Sequence, residues 1–384
     1  MKQRIHSIDI VRGLIMIIMT LDHSRDFLHI PASPLNMQTT TVILFFTRWI
    51  THFCAPTFVF LSGVSACLAG QKRTTPELRR FLLTRGAWLI LSDMLLISIL
   101  FTFDPLYHLI VLEVLCAIGF GMILLALLLR ARPVVIAALA LVILFGHNAL
   151  NYISLPQTGT GGIINTVLLS AVGSIIPLGG GRAIAELYAV IPWSGALLLG
   201  YVFGALYRTG YDSKKRRLTL LRAGIGICIL FIVLRAVNHY GDQAPWSVQW
   251  NFAHTVLSFL NTSKQPPSLQ FFAMTLGPVV ILLSLVENLA NRFSALCRVY
   301  GNVPYFYFII HICVLRIINL LLIAVMGVPF KSDGNPFVWQ AAGFGIPLWA
   351  VYLFWIFVVA LMYYPCKWYG NYKRSRGYWW LSYV

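Results

Sequence analysis

Apolar residues in this chain gather in long, nearly unbroken runs, without the strict alternation of a half-buried strand or the one-sided stripe of a surface helix. Ten runs approach the roughly 20 residues that span a hydrocarbon core of about 30 Å. They cover Ile8 to Leu28, Trp49 to Ala69, Arg85 to Phe103, Leu106 to Leu129, Pro133 to Leu150, Tyr188 to Tyr207, Leu220 to Val237, Leu269 to Leu289, Val303 to Met326 and Phe344 to Tyr363. The two longest connections, Asn151 to Glu186 and His239 to Ser268, carry the clusters TGTGG, PLGGGR and KQPPS. Apolar stretches inside them, such as Ile163 to Ile176, are expected as re-entrant or interfacial helices. The pattern predicts an all-α polytopic membrane protein of about ten transmembrane helices. It forms a single domain over residues 1–384 with no separate soluble part. The basic start MKQRIHSIDIVRG is followed by no small-residue cleavage site, so it reads as a retained first span.

Ionisable groups inside a span are costly, and their default reading is functional. The first run is the richest, with Asp9, Arg12, Asp22, His23, Arg25, Asp26 and His29. Arg12 and His23, eleven positions apart, fall on nearly one helical face about 16 Å apart along the axis. Asp22, Asp26 and His29 follow an i, i+4, i+7 pattern and His23 to Asp26 is an i, i+3 pair, so a carboxylate can reach each imidazole. An acid beside a histidine fixes its tautomer and supports the imidazolium formed when it acts as a general base. The plainer reading is a salt-bridge cluster closing the outer end of the helix. The second run opens with Arg48, His52, Cys54 and Pro56, and a short hairpin puts this group on the same side of the membrane as the first. Asp93, Glu113, Glu287 and Arg235 with Asn238 read as structural pairs between spans. His311, in the middle of the ninth run with Arg316 five residues on, is not explained by packing alone.

Charge orients the spans. Lys and Arg collect on the cytoplasmic side, and with the N-terminus inside all but seven of the 29 bases, starting with Lys2 and Arg4, fall on inner segments. The exceptions are Arg25, Arg48, Arg182, Arg235, Lys264, Arg316 and Lys331. Both termini are therefore expected in the cytoplasm, and the tail KRSRGYWWLSYV reads as an interfacial anchor. Composition agrees: 59% hydrophobic, 11% charged and a mean hydropathy of +0.78, against about 25% charged in soluble domains. A soluble enzyme, a disordered chain, a disulfide scaffold and a collagen-like repeat are excluded. The net charge of +17 is then mostly topology and lipid-headgroup attraction, and nucleic acid is not an expected partner. The seven cysteines show no CxxC or zinc spacing, and Cys54, beside a histidine, is the one candidate reactive thiol. No HxxxH pair suggests a metal, and no two spans show the facing mid-membrane histidines of a b-type haem. No metal or haem is expected.

These segments carry a resemblance. The stretch Ser7-Ile-Asp9-Ile-Val-Arg12-Gly13 with His23 eleven residues after the arginine resembles the first span of the transmembrane acyltransferase superfamily, which includes the acyltransferase-3 proteins. His52-Phe-Cys-Ala-Pro56, Ile191-Pro-Trp-Ser-Gly195 and Asn302-Val-Pro-Tyr-Phe-Tyr-Phe-Ile-Ile-His311 resemble the branch with the heparan-alpha-glucosaminide N-acetyltransferase catalytic domain. The resemblance implies transfer of acetyl from cytoplasmic acetyl-CoA to a sugar on the opposite face, with a histidine central. The lysosomal member of that branch has Asn at the position of His23 and its active histidine in the loop before the second span, where this chain has none after His29. The catalytic role is carried to His23 first, with Asp22 and Asp26 orienting it, and to His29 or His52 second. Heparan sulfate itself is not expected as acceptor, because the large lumenal domain is absent from the sequence.

Coenzyme A carries phosphates and cannot cross lipid, so inner cations must hold it, and Arg12, Arg79, Arg80 and Arg85 are the candidates. The KKRR run at Lys214 to Arg217 is more simply a topological anchor. Arg48, Asn302 and His311 are the candidate acceptor contacts. Expected partners are acyl-CoA, an amino sugar or glycan acceptor, membrane lipid and a second copy of the chain, and the expected location is a bacterial-type inner membrane. The rival reading is a proton-coupled secondary transporter using Asp22, His23 and Asp26 as a relay, which the lack of internal repeats disfavours.

Overall fold

The computed structural model describes residues 6–171, 174–329 and 341–382; Lys2, Arg4, Lys331, Tyr383 and Val384, which entered the charge and tail arguments, lie outside them. The chain opens with α1 (His6–Leu28) and α2 (Val42–Thr51), which passes through a break at His52 and Phe53 into α3 (Cys54–Gly70). α4 (Thr75–Ser92) runs through a π turn (Asp93–Ile97) into α5 (Ser98–Thr102), followed by β1 (Leu109–Leu112), α6 (Val114–Leu128) and α7 (Pro133–Gly146). Next come α8 (Gly159–Asn165), β2 (Ser174–Gly179), β3 (Arg182–Glu186) and α9 (Val190–Phe203). The C-terminal half is α10 (Ser213–Val237), α11 (Phe252–Leu260), α12 (Leu269–Leu285), α13 (Arg292–Gly301), α14 (Pro304–Val325), α15 (Leu348–Leu361) and α16 (Tyr363–Ser375). Among the described residues seven helical stretches are long and apolar enough to cross a membrane, and α6 and α12 are apolar but shorter. α1 has 23 residues, but its five ionic side chains dilute its apolar character.

Helix ends follow local chemistry. α4 starts in a capping box in which Thr74 and Glu77 exchange bonds with each other's backbone, with Pro76 in its first turn. Thr41, Asp212, Ser268 and Asn291 each accept from a backbone N–H three residues on. α6 is capped from outside: Asp93, in the π turn after α4, accepts from the backbone N–H of Glu113 at 2.7 Å and of Cys116 at 2.8 Å. This carboxylate explains why the fourth apolar run does not begin as a helix at Leu106. Its first part is β1, tied to α5 by Ser98, whose hydroxyl accepts from Val111 N at 2.9 Å. The sheet order is β1-β3-β2, with β1 parallel to β3 and β2 antiparallel to it across the Gly179–Gly181 turn. The helical expectation holds for most of the chain, and this small sheet is added to it. The expected helix over Ile163 to Ile176 is corrected as well, because a short helix there gives way to β2.

Glycines in reciprocal pairs set the helix packing. A Cβ on Gly13 would lie 1.8 Å from the Cys297 carbonyl oxygen, and one on Gly301 would lie 1.9 Å from that of Asp9. Gly63 and Gly200 do the same for α3 and α9, Gly86 and Gly119 for α4 and α6, and Gly224 and Gly277 for α10 and α12. Within lipid there is no hydrophobic drive for helices to associate, so close backbone contact through small residues carries the packing. The α1 and α13 crossing matters most, because α14 continues upward from it beside α1.

Overpacking a core costs about 1–3 kcal/mol, and with backbone as the obstacle Gly13→Ala or Gly301→Ala is expected to reach the top of that range; thermal unfolding in detergent checks it, with Gly226→Ala, which meets nothing within 4 Å, unmoved. Glu186, on β3 and 1% exposed, has its carboxyl pushed up to about 7 by burial. An unfolded carboxyl near 4.3 holds fewer protons over the interval between, so this group's stabilisation is whole below about pH 4 and falls away toward pH 7. Glu186→Gln, which keeps the bond from Tyr188 N, should raise Tm more at pH 8 than at pH 5.

Candidate functional site

Above the glycine crossing, α1 and α14 meet in a ladder of polar contacts. Thr20 Oγ1 and Tyr307 Oη are 2.7 Å apart, His23 Nδ1 and His311 Nε2 are 2.7 Å apart, and Asn319 Nδ2 donates to the Phe27 carbonyl at 2.7 Å. Gly13, Thr20 and Phe27 are seven residues apart and His23 is three beyond Thr20, the spacing that keeps one face of a helix against a neighbour. The expectation that no two spans bring histidines face to face is overturned here.

The pair has a defined polarity. His311 Nδ1 lies 2.8 Å from the Tyr307 carbonyl oxygen, which only accepts, so the proton of His311 sits on Nδ1 and its Nε2 is bare. That bare nitrogen accepts from His23 Nδ1–H, which leaves the remaining lone pair of the chain on His23 Nε2. The assignment comes from the hydrogen-bond network, as tautomers do at heavy-atom detail. The two rings lie nearly parallel, 12° apart with centroids at 5.0 Å, and Phe101 and Phe308 stand edge-on to His23 at 6.2 and 6.1 Å. His311 is fully buried and His23 half-buried.

Asp22 and Asp26 do not hold His23. Asp22 accepts from Arg48 Nη1 with both oxygens at 2.7 Å, from Arg25 Nη2 at 2.9 Å and from Thr51 Oγ1 at 2.8 Å. Asp26 accepts from the same Arg25 nitrogen at 2.6 Å. The reason is helical geometry: residues i and i+1 point about 100° apart, so with His23 turned to α14, Asp22 faces α2, where a guanidinium waits. The relay through Asp22, His23 and Asp26 imagined for a transporter therefore has its carboxylates engaged by arginines. Arg48, expected at the acceptor, belongs to this ion cluster.

The other expected residues lie apart. His29 ends α1, where the backbone beside it pairs with Ile346. His52 sits at the break between α2 and α3, fully buried against Phe271, with no partner for either ring nitrogen. Neither is joined to His23 by a hydrogen bond or ring contact. Cys54 is buried, its thiol against the Ile15 carbonyl at 3.8 Å. Arg12 ties three helices together, donating to Ser65 Oγ at 2.9 Å, the Gly301 carbonyl at 3.3 Å and Asp9 at 3.4 Å. Asn302 caps α13 beside this crossing. Arg79 and Arg80 line a groove of about 780 Å³ between α4 and α6 with Arg130, and Arg80 also faces a groove of about 720 Å³ against Trp379 and Trp380; Arg85 lines neither. Of the pairs read as structural, Glu287 accepts from Arg216 and Ser7, and Arg235 is enclosed by carbonyls.

The catalytic-domain family of heparan-alpha-glucosaminide N-acetyltransferase matches residues 4–234, more than half of the chain. The chain belongs to this family. It is thus a membrane acetyltransferase by kinship, although no curated protein matches it. The family match takes in His23 and the whole ion cluster, while His311 lies beyond its end, so the partner of His23 comes from outside the matched segment. What sequence reasoning missed is that His311 serves His23. The signal was present: His23 is ten residues above Gly13 and His311 ten above Gly301.

Breaking the ion cluster is expected to cost stability. Asp22→Asn leaves two arginines facing each other with half their acceptors gone, a loss of about 3–5 kcal/mol for a buried pair, read as a fall in unfolding temperature.

Proposed function

We propose that this protein transfers an acyl group, acetyl above all, from cytoplasmic acyl-CoA to an amine or hydroxyl of an extracytoplasmic sugar or glycan. The observation that carries this reading is the bare Nε2 of His23, left by a proton chain that runs from His23 Nδ1–H through His311 to a peptide carbonyl. Such a nitrogen is placed by geometry to act as a general base, which supports acyl transfer in a member of an acetyltransferase family. Taken together, the seven long apolar helices, α6, α12 and α1 support a reading as ten spans, in which both termini share one side with the Arg79 and Arg80 groove, and the excess of Lys and Arg there favours the cytoplasm. The phosphates of CoA dock there, and the pantetheine arm reaches into the protein toward His23.

In the step itself His23 Nε2 takes the proton of the acceptor N–H or O–H as the acceptor atom bonds to the thioester carbonyl carbon. The tetrahedral intermediate collapses, the C–S bond breaks, and the CoA thiolate leaves with the proton returned by the imidazolium. The products are the N- or O-acyl sugar and CoA thiol. His311 keeps the tautomer and shares the transient charge; it is a positioning residue.

The test uses the full-length protein in proteoliposomes with radiolabelled acetyl-CoA and glucosamine derivatives as acceptors. His23→Ala should lower turnover about 10²–10⁴-fold, the usual worth of a positioned base. His311→Gln should lower it less and shift the pH profile. Transfer undiminished in His23→Ala, or no transfer to any acceptor by the intact protein, would falsify the reading.

A further inference from the structure

Among the described residues two arginines are at most 1% exposed, and their surroundings differ completely. Arg235 has every nitrogen satisfied: Nε donates to the Phe259 carbonyl, Nη1 to the Ala244 carbonyl and Gln270 Oε1, and Nη2 to the carbonyls of Ser258 and Asn261. It is a strut built into the fold. Among the described residues Arg316, 0% exposed, has one bond, from Nη1 to Asn319 Oδ1 at 3.2 Å, and its Nε and Nη2 have no partner. No carboxylate among the described residues pairs with it. Its guanidinium lies over the Phe103 ring, 4.4 Å from the centroid.

The two idle nitrogens are not an arbitrary pair. Nε–H and Nη2–H lie along one edge of the guanidinium and point the same way, the fork that takes both oxygens of a carboxylate or sulfate in parallel bonds. A buried cation with that edge covered but unpaired is costly unless an anion displaces what covers it. Position supplies the context. Arg316 is five residues beyond His311 on α14, about 7.5 Å further along the axis toward the outer end. The turn that ends α5 touches both places: Phe101 packs on His23, while Phe103, held at φ 50°, carries its ring to Arg316. A bulky residue in that left-handed region is strained, and such strain clusters at functional sites.

We infer that Arg316 seats an acidic group of the acceptor, a carboxylate or sulfate carried about one sugar ring's length from the amine or hydroxyl that reacts at His23. This rests on the acyl-transfer reading and sharpens it, since it makes Arg316 the residue that selects acidic acceptors over neutral ones.

The experiment compares glucosamine 6-sulfate with glucosamine as acceptors. The intact protein should favour the sulfated sugar by tenfold or more in kcat/KM. Arg316→Gln should bring the ratio of the two close to one, with the change in KM of the acidic acceptor, and Arg316→Lys, which keeps the charge but loses the fork, should fall between. A ratio near one in the intact protein overturns the proposal. So does an equal loss of kcat for both sugars in Arg316→Gln, which would place the guanidinium at the reacting atoms. Binding is read separately from turnover: glucosamine 6-sulfate should raise the unfolding temperature of the intact protein and not of Arg316→Gln. Inorganic sulfate alone, tried in the same way, tells a free anion from the acid of a sugar; equal stabilisation by sulfate overturns the acceptor assignment. Without ligand Arg316→Gln should be at least as stable as the parent, because it removes an uncompensated buried charge; unfolding of the variant would mark Arg316 as a strut like Arg235 and overturn the proposal. If no sugar is acylated at all, the acyl-transfer reading fails, and the binding arm still decides whether Arg316 takes the acid.

Discussion

Between Gly13 and Gly301 the backbones of α1 and α13 approach so closely that even a methyl group would strike a carbonyl oxygen. That contact fixes height as well as distance. α14 begins three residues after Gly301 and rises alongside α1, so Thr20, seven residues above Gly13, meets Tyr307, six above Gly301, and His23 and His311 stand ten above their own glycines. Thr20 with Tyr307 and His23 with His311 are the first rungs, and Phe27 with Asn319 is the next. A side chain at the crossing would lift one helix against the other and uncouple the histidines, although neither glycine touches them. Arg12 reinforces the same point by bonding the Gly301 carbonyl and Ser65 of α3, which makes the first motif of the chain a joint for three helices.

The ionic residues of α1 divide into two faces. Asp22 looks to α2 and takes Arg48, Arg25 and Thr51, locking the hairpin of the first two spans. His23, one position on, looks to α14 and takes a neutral partner. With Asp26 also on Arg25, two carboxylates meet two guanidinium groups in the first group, and no ion pair to His23 is formed among the described residues. The histidine is therefore positioned by neutral hydrogen bonds in a setting of aromatic walls, with the carboxylates of Asp22 and Asp26 in electrostatic reach but engaged elsewhere.

Much of this was legible in the chain. The long apolar runs locate the helices, and the density of ionic residues between Asp9 and His29 marks α1 as the element on which chemistry concentrates. Helix spacing alone could say that Asp26 might reach His23, but it could not say that an arginine from another helix would reach the carboxylates first. Partners nearly 290 residues apart, such as His23 and His311, are set by a crossing that only the paired glycines reveal. The strand at Leu109–Leu112 was hidden for a similar reason. Its residues are as apolar as those of the helix that follows, and the boundary is imposed by Asp93, a carboxylate 20 residues earlier, which caps α6 at Val114.

A histidine paired with histidine suits a reaction at this depth better than one paired with a carboxylate. An aspartate–imidazole pair carries a negative charge at rest, and in a medium of low dielectric that charge must be compensated by a further buried cation. The chain from His23 through His311 to the Tyr307 carbonyl is neutral at rest. In the proposed transfer it becomes positive only while the acceptor and thioester together form the oxyanion, so the two charges appear and vanish together. Nothing needs to be neutralised before or after the step, and Arg316, which has no carboxylate partner among the described residues, is left available for the acceptor and not for the base.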